Sequence, residues 1–153
     1  MSSAAQLRRP THVPPGFKFR GELRGVTGLG FPSDPGQVSL VYARGAKDED
    51  RLFPLTLHAS SRKRARLIGT EQHRGRRIPL RGGRVHAMYH DGMWTLGHGA
   101  DERRVAPGTV IHWDRSEVHS LTVLAKGRVF AIRGARSRGV ELEDLVRTLE
   151  SVL

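Results

Sequence analysis

Residues 140–153 read VELEDLVRTLESVL and carry the clearest amphipathic pattern in the chain. Acidic residues crowd the start of this stretch, where they favour the positive end of a helix dipole. The apolar side chains recur at helical spacing and form one stripe: Leu142, Leu145, Val146, Leu149, Val152 and Leu153. We therefore predict a C-terminal helix that packs this stripe on a sheet.

The residues before this helix have the patterns of strands. FKFRGEL (17–23) alternates apolar and polar residues, QVSLVYAR (37–44) is rich in β-formers, and GRVFAIRG (127–134) is a further strand. We predict an α+β fold, an antiparallel sheet of about six to eight strands with the C-terminal helix covering one face. Residues 1–12 are expected to be a flexible basic arm, and residues 13–153 a single domain.

Composition sets limits on the function of this chain of 153 residues. It has no cysteine, which excludes disulfides, thiolate metal ligands and a cysteine nucleophile. No apolar run reaches the roughly 20 residues that span a bilayer. The sequence thus predicts a soluble protein without a membrane span, cytoplasmic unless a leader or an anchor has been removed. The formal net charge of +11 favours acidic partners such as nucleic acid.

Residues 86–99, HAMYHDGMWTLGHG, contain three histidines around an Asp-Gly pair. Asp91-Gly92 is a strong signal for a type I′ turn, which would pair Tyr89 with Trp94 in a β-hairpin. On such a strand the Cα atoms of His86 and His90 would be about 13 Å apart, too far to share a zinc ion. We therefore expect a hairpin whose histidines face solvent.

A closer histidine pair is expected in VIHWDRSEVHSL (110–121). A hairpin that turns near Arg115 would place His112 directly opposite His119, about 5 Å apart at Cβ. Two ligands do not complete a metal site, and the sequence offers no third. We predict no metal and no cofactor, and keep this pair as a weak metal candidate.

The segment from residue 62 to residue 84 is rich in arginine and contains a single acid. Such a concentration of charge can bind phosphates by releasing counterions, although a charged edge strand also protects a sheet from aggregation. We call these nine residues the basic stripe: Arg62, Lys63, Arg64, Arg66, Arg74, Arg76, Arg77, Arg81 and Arg84. It is the candidate surface for nucleic acid.

No catalytic signature is present in the sequence. Gly28-Leu29-Gly30 lacks the rest of a dinucleotide fingerprint, and Asp91 and Asp114 fall in expected turns. We therefore predict a protein that is not an enzyme. Its expected function is that of a non-enzymatic binding or sensory module, and the alternative is a nucleic-acid-associated protein that uses the basic stripe.

Several short motifs, taken in order over residues 13–152, resemble a family of uncharacterised bacterial domains. These domains form the extracytoplasmic C-terminal end of membrane-anchored anti-sigma-factor-like proteins. The similar segments are HVPPGFKF, VSLVYARG, IPLRGGRVHAMYHDG, VIHWDRSEVHSL and VELEDLVRTLESV.

This resemblance implies a curved, half-barrel-like antiparallel sheet, similar to lipoprotein-carrier and sigma-regulator domains. It implies a concave sheet surface that receives a ligand or a protein partner, and it supplies no catalytic residue. An apolar ligand, a protein partner and nucleic acid remain open as partners, and the sequence does not determine the oligomeric state.

Overall fold

A computed structural model describes residues 7–24, 37–45, 54–60, 75–95, 112–115 and 117–153. These residues form nine strands and one α-helix, α1 (Leu142–Glu150). The strands are β1 (Lys18–Arg24), β2 (Val38–Ala43), β3 (Leu55–Ser60), β4 (Arg76–Leu80), β5 (Val85–His90), β6 (Met93–Thr95), β7 (His112–Asp114), β8 (Val118–Ala125) and β9 (Arg128–Ala135).

Seven of these strands form one open antiparallel sheet in the order β1-β2-β3-β9-β8-β5-β4. A row of residues paired across it, Leu40, Leu57, Ile132 and Leu121, is buried on one face. Burial of such side chains stabilises the fold by about 1.5–3 kcal/mol each. The predicted α+β fold, an antiparallel sheet with a C-terminal helix, is confirmed.

Helix α1 covers this apolar face, as its stripe predicts. Leu145 and Leu149 are fully buried, and the remaining members of the stripe pack against the core. At the start of the helix the Glu141 N–H donates to the Asp144 carboxylate, which satisfies one of the free N–H groups of the first turn. Contacts with β8 and β9 place α1 over the middle of the sheet.

The sheet curves around α1. Before the edge strand β1, the His12 N–H donates to the Ser151 hydroxyl just after the helix, and beyond the other edge strand Arg81 binds Glu150. Because both edges of the sheet reach the same end of α1, the helix-facing side of the sheet is concave. Among the described residues, this concave side is filled by α1 and the core side chains. Leu7 and Val13 also pack on this core, so the packed chain begins within the arm assigned to residues 1–12.

The predicted hairpin at residues 86–99 is wrong. Strand β5 pairs with β4 and β8, whereas β6 pairs with β7 in a separate two-stranded sheet, where Trp94 lies opposite Trp113. A type I′ turn needs positive φ at both central residues, and here only Gly92 has it, at 128°. The chain therefore leaves the main sheet at Asp91-Gly92 instead of folding back along it.

The expected solvent exposure of the three histidines is only partly correct. His86 is exposed, but His90 is buried, with 6% of its surface accessible, and its ring lies 6.4 Å from that of Trp113. The small β6–β7 sheet thus covers the end of β5. His98 lies outside the described residues.

The hairpin expected near Arg115 is also wrong, and a different one is present. Strand β8 pairs with β9, joined by Lys126 and Gly127, whose φ angles of 52° and 71° are those of a type I′ turn. His119 consequently lies opposite Gly134, and His112 opposite Thr95 in the small sheet. The two histidines are not paired.

No helix in the described part of the chain is long and apolar enough to cross a membrane.

Candidate functional site

Four cationic side chains converge on a cavity of about 290 Å³ at the rim of the sheet. They come from the segment before β1, from the turn after β4 and from the β8–β9 hairpin, and the residues after α1 complete the wall. We call this site the cationic pocket. Its lining is Arg8, Arg81, Lys126, Arg128, Phe130, Ser151, Val152 and Leu153.

Arg81 is the most constrained member of the cationic pocket. It has a φ of 49°, unusual for a residue with a side chain, and Gly82 and Gly83 after it also have positive φ. Its backbone N–H donates to the Glu150 carboxylate at 3.1 Å, and its guanidinium donates to the Glu150 carbonyl oxygen at 3.1 Å. These bonds hold the guanidinium against the end of α1, beside the cavity.

The other cations of the cationic pocket differ in how they are held. Arg128 lies over the Phe130 ring, 5.3 Å from its centroid, which directs the guanidinium along an apolar surface. Arg8 and Lys126 are exposed, and neither forms an ion pair with another residue of the described part. The cavity therefore combines two guanidinium groups held by neighbouring residues with two exposed charges that have no ion-pair partner in the described part.

The described members of the basic stripe lie along β4 and just after it. Arg76 and Arg77 lie exposed on the edge strand β4, Arg84 is exposed just beyond it, and Arg81 enters the pocket itself. Arg76 also lies over the Tyr89 ring, 5.5 Å from its centroid. The other predicted members lie outside the described residues: Arg62, Lys63, Arg64, Arg66 and Arg74.

Three pocket cations could not be assigned to a site from the sequence. Arg8 belongs to the arm predicted for residues 1–12, and Lys126 and Arg128 lie at a turn with no motif of their own. The only local signal was the Lys-Gly pair, which is compatible with a type I′ turn. Their proximity to Arg81 results from strand order, which short-range patterns do not encode.

His119 is buried in a chain of hydrogen bonds and is not available as a metal ligand. Its Nε2–H donates to the Val140 carbonyl oxygen at 2.7 Å, and the Tyr89 hydroxyl donates to its Nδ1 at 2.9 Å. The Arg136 guanidinium donates to the Tyr89 oxygen at 3.2 Å and pairs with Asp91. With both ring nitrogens engaged in a neutral imidazole, His119 has no lone pair left for a metal.

The surroundings of His119 maintain this neutral form. Burial lowers the pKa of the His119 imidazole, and its bond to Val140 and the charges of Glu141 and Asp144 oppose the shift less strongly. No group of three or more potential metal ligands occurs within the described ranges. The predicted His112–His119 pair therefore does not form a metal site, because the two residues do not lie opposite each other and His119 has no nitrogen free to bind a metal.

A serine–histidine contact lies on the opposite face of the sheet. Ser39 Oγ is 2.7 Å from His58 Nδ1, and the Gln37 side-chain amide is 3.3 Å from the same nitrogen. Burial, and to a smaller extent the charge of Arg133, lower the pKa of His58 to about 3. Ser39 has only 2% of its surface exposed, so the pair has neither an effective base at neutral pH nor open access for a substrate.

The lowered pKa values of His58 and His119 predict that the stability of the fold decreases in acid. An unfolded histidine takes up a proton near pH 6.5, whereas native His58 remains neutral until about pH 3. The unfolded state therefore binds more protons between these values, and the free energy of unfolding decreases as the pH falls. For His58 the slope reaches about 1.4 kcal/mol per pH unit, measurable by urea unfolding at about pH 7 and about pH 5.

His58→Gln isolates the contribution of His58, because glutamine retains polarity without titrating. We expect this variant to lose less stability than the parent chain between the two pH values. His86→Gln, which changes an exposed histidine, is the matched control and should keep the parent slope. Identical slopes for all three proteins would contradict the prediction.

The fold and the site together define a class: a curved, open antiparallel sheet that wraps a C-terminal helix and carries a cationic pocket at its rim. Comparisons with protein-family models, with curated proteins and with solved structures found no match.

Proposed function

We propose that this chain is a non-enzymatic binding module that recognises an anionic group at the cationic pocket. One observation carries the proposal: Arg8, Arg81, Lys126 and Arg128, distant in sequence, line the same cavity. Like charges gathered at one place destabilise a compact state by mutual repulsion. An anion would relieve this repulsion, and a ligand that binds only the native state stabilises the fold by mass action.

Other features support binding without catalysis. The low pKa of His58 makes it a weak base beside Ser39, and both nitrogens of His119 are engaged in structural hydrogen bonds. The resemblance to the terminal domains of anti-sigma-factor-like proteins also supports a binding or regulatory role. Since α1 and the core fill the concave face, we place binding at the rim instead of inside the sheet.

The proposal is tested with inorganic phosphate as the probe, titrated calorimetrically into the whole chain at an ionic strength of about 0.1 M, where charges more than about 10 Å away are largely screened. The pocket variant Arg8→Gln/Lys126→Gln removes two charges that have no ion-pair partner in the described structure. We expect its affinity for phosphate to fall by about tenfold or more, because charge-assisted hydrogen bonds are lost.

The matched control is Arg77→Gln/Arg84→Gln, which also removes two exposed arginine charges but lies outside the cationic pocket. We expect its phosphate affinity to remain within about twofold of the parent value. Equal losses in both variants would indicate general electrostatic attraction, and absence of phosphate binding to the parent chain would reject the proposal outright.

The second candidate is a nucleic-acid-associated protein that uses the basic stripe. It is favoured by the exposed arginines on and just after the edge strand β4, Arg76, Arg77 and Arg84. Charge on an accessible edge can follow a phosphate backbone, with affinity that depends steeply on salt.

The same variants test this candidate with DNA as the ligand, and here Arg77→Gln/Arg84→Gln is the test variant and no longer the control. With labelled single- and double-stranded DNA, Arg77→Gln/Arg84→Gln should weaken binding and reduce the salt dependence by about two counterions. If the parent chain binds neither DNA at low salt, the nucleic-acid candidate fails while the anion-binding proposal is unaffected.

A further inference from the structure

The cationic pocket has a second chemical property besides its charge. Phe130, Val152 and Leu153 form part of its wall, so it offers an apolar surface next to the four cations. A bare inorganic ion would leave this surface in contact with water. A ligand that has an apolar group beside its anionic group would use both parts of the lining.

The charges indicate which anionic group fits. Four cationic side chains line the cavity, and Glu150 binds Arg81 beside it. A monoanion would leave most of this positive charge unbalanced, whereas a dianion balances more of it. A phosphate monoester is dianionic at neutral pH, since its second pKa is about 6.

The geometry of the donors agrees with that choice. Three of the four cations are arginines, whose planar guanidinium groups bind phosphate oxygens in a bidentate manner. Arg81 is held by Glu150 and Arg128 by the face of Phe130, so two of the guanidinium groups need little ordering when a ligand arrives. The volume of about 290 Å³ limits the ligand to a small one.

We infer that the cationic pocket binds a phosphate monoester of a small aromatic or aliphatic group, with the phosphate among the cations and the apolar group against Val152 and Leu153. The inference rests on the proposed function and specifies its ligand. The phosphate ester has two conceivable sources, a free small molecule and a phosphorylated tyrosine side chain of a protein.

The test compares phenyl phosphate, inorganic phosphate and benzoate by calorimetric titration of the whole chain. Phenyl phosphate should bind about tenfold more tightly than either of the others, because it alone has both the dianion and the ring. Its affinity should decrease from about pH 7.5 to about pH 5.5 as the phosphate takes up a proton, while that of benzoate should not.

A pair of variants separates the apolar wall from the charge. Val152→Thr keeps the side-chain shape but makes it polar, and should weaken phenyl phosphate several-fold while leaving inorganic phosphate unchanged. Leu124→Thr, at a site with 60% exposure outside the pocket, is the control and should alter neither affinity. An unchanged affinity for phenyl phosphate in Val152→Thr would overturn the placement of the apolar group.

The failures of the two proposals are distinguishable. If all three anions bind equally and Arg8→Gln/Lys126→Gln weakens each, anion recognition stands and the phosphate-monoester inference is rejected. If none binds, both are rejected. A short phosphotyrosine peptide then identifies the source: binding tighter than phenyl phosphate supports a protein-borne ester, and equal binding supports a small molecule.

Discussion

Gly134→Ala is expected to lower the free energy of unfolding by about 3 kcal/mol, the upper range for overpacking a well-packed core. A Cβ at this position would lie 2.3 Å from Cγ1 of Val140 and 3.0 Å from Cδ2 of Leu145, both fully buried. Val140 cannot swing aside because it is rigid and enclosed, so α1 would have to move away from β9. The loss is measured by urea unfolding and should lower Tm by about 6–12 °C.

A matched glycine separates this clash from the general effect of replacing glycine in a strand. Gly21 in β1 has no atom within 4 Å of a built Cβ, and its φ is not positive. Gly21→Ala should therefore be neutral or slightly stabilising, since alanine has less backbone entropy to lose. Adding Val140→Ala to Gly134→Ala should recover part of the loss, and strictly additive effects would contradict the proposed contact.

His119→Phe is expected to cost about 3 kcal/mol. Phenylalanine fills similar space but leaves the Val140 carbonyl oxygen and the Tyr89 hydroxyl without their partner in a buried environment. An unsatisfied buried polar group costs about 1–3 kcal/mol. The Val140 carbonyl oxygen loses its donor and the Tyr89 O–H loses its acceptor, although Arg136 still donates to the Tyr89 oxygen. The measurement is the free energy of unfolding at neutral pH, where His119 is uncharged.

Tyr89→Phe supplies the second arm of a double-mutant cycle. It removes only the hydroxyl, with an expected cost of about 1 kcal/mol, and the double variant should cost less than the sum of the two single changes. Additive costs would mean that the hydrogen bond between Tyr89 and His119 contributes little to stability, whatever its length.

Local periodicity predicted some elements well. The stripe from Leu142 to Leu153 indicated one buried face of a helix, and that face packs on the sheet. The alternation around Phe17 and Phe19 likewise indicated a strand with one packed side. These predictions hold because the spacing of apolar residues reports which side of a single element is buried, irrespective of its partners.

The pairing of strands could not be predicted from the turn residues alone. Asp91-Gly92 and Lys126-Gly127 are both short glycine-containing pairs, yet only the second forms the type I′ turn of a hairpin. Turn residues permit a reversal but do not impose it, because pairing also depends on side-chain packing across the sheet. Strand β5 lies between β4 and β8, and Trp113 donates to the Asp91 carbonyl oxygen where the chain departs from it.

The sequence by itself determined the C-terminal helix, the α+β class and the concentration of arginine before and within β4. Tertiary structure alone decided that Arg8, Arg81, Lys126 and Arg128 share a cavity and that His119 binds Tyr89 and Val140. The physical reason is the separation in sequence between the residues that interact. Helix and strand patterns depend on residues that are a few positions apart in the sequence. The pocket and the buried hydrogen bonds join distant segments, which come together only when the open sheet curves around α1.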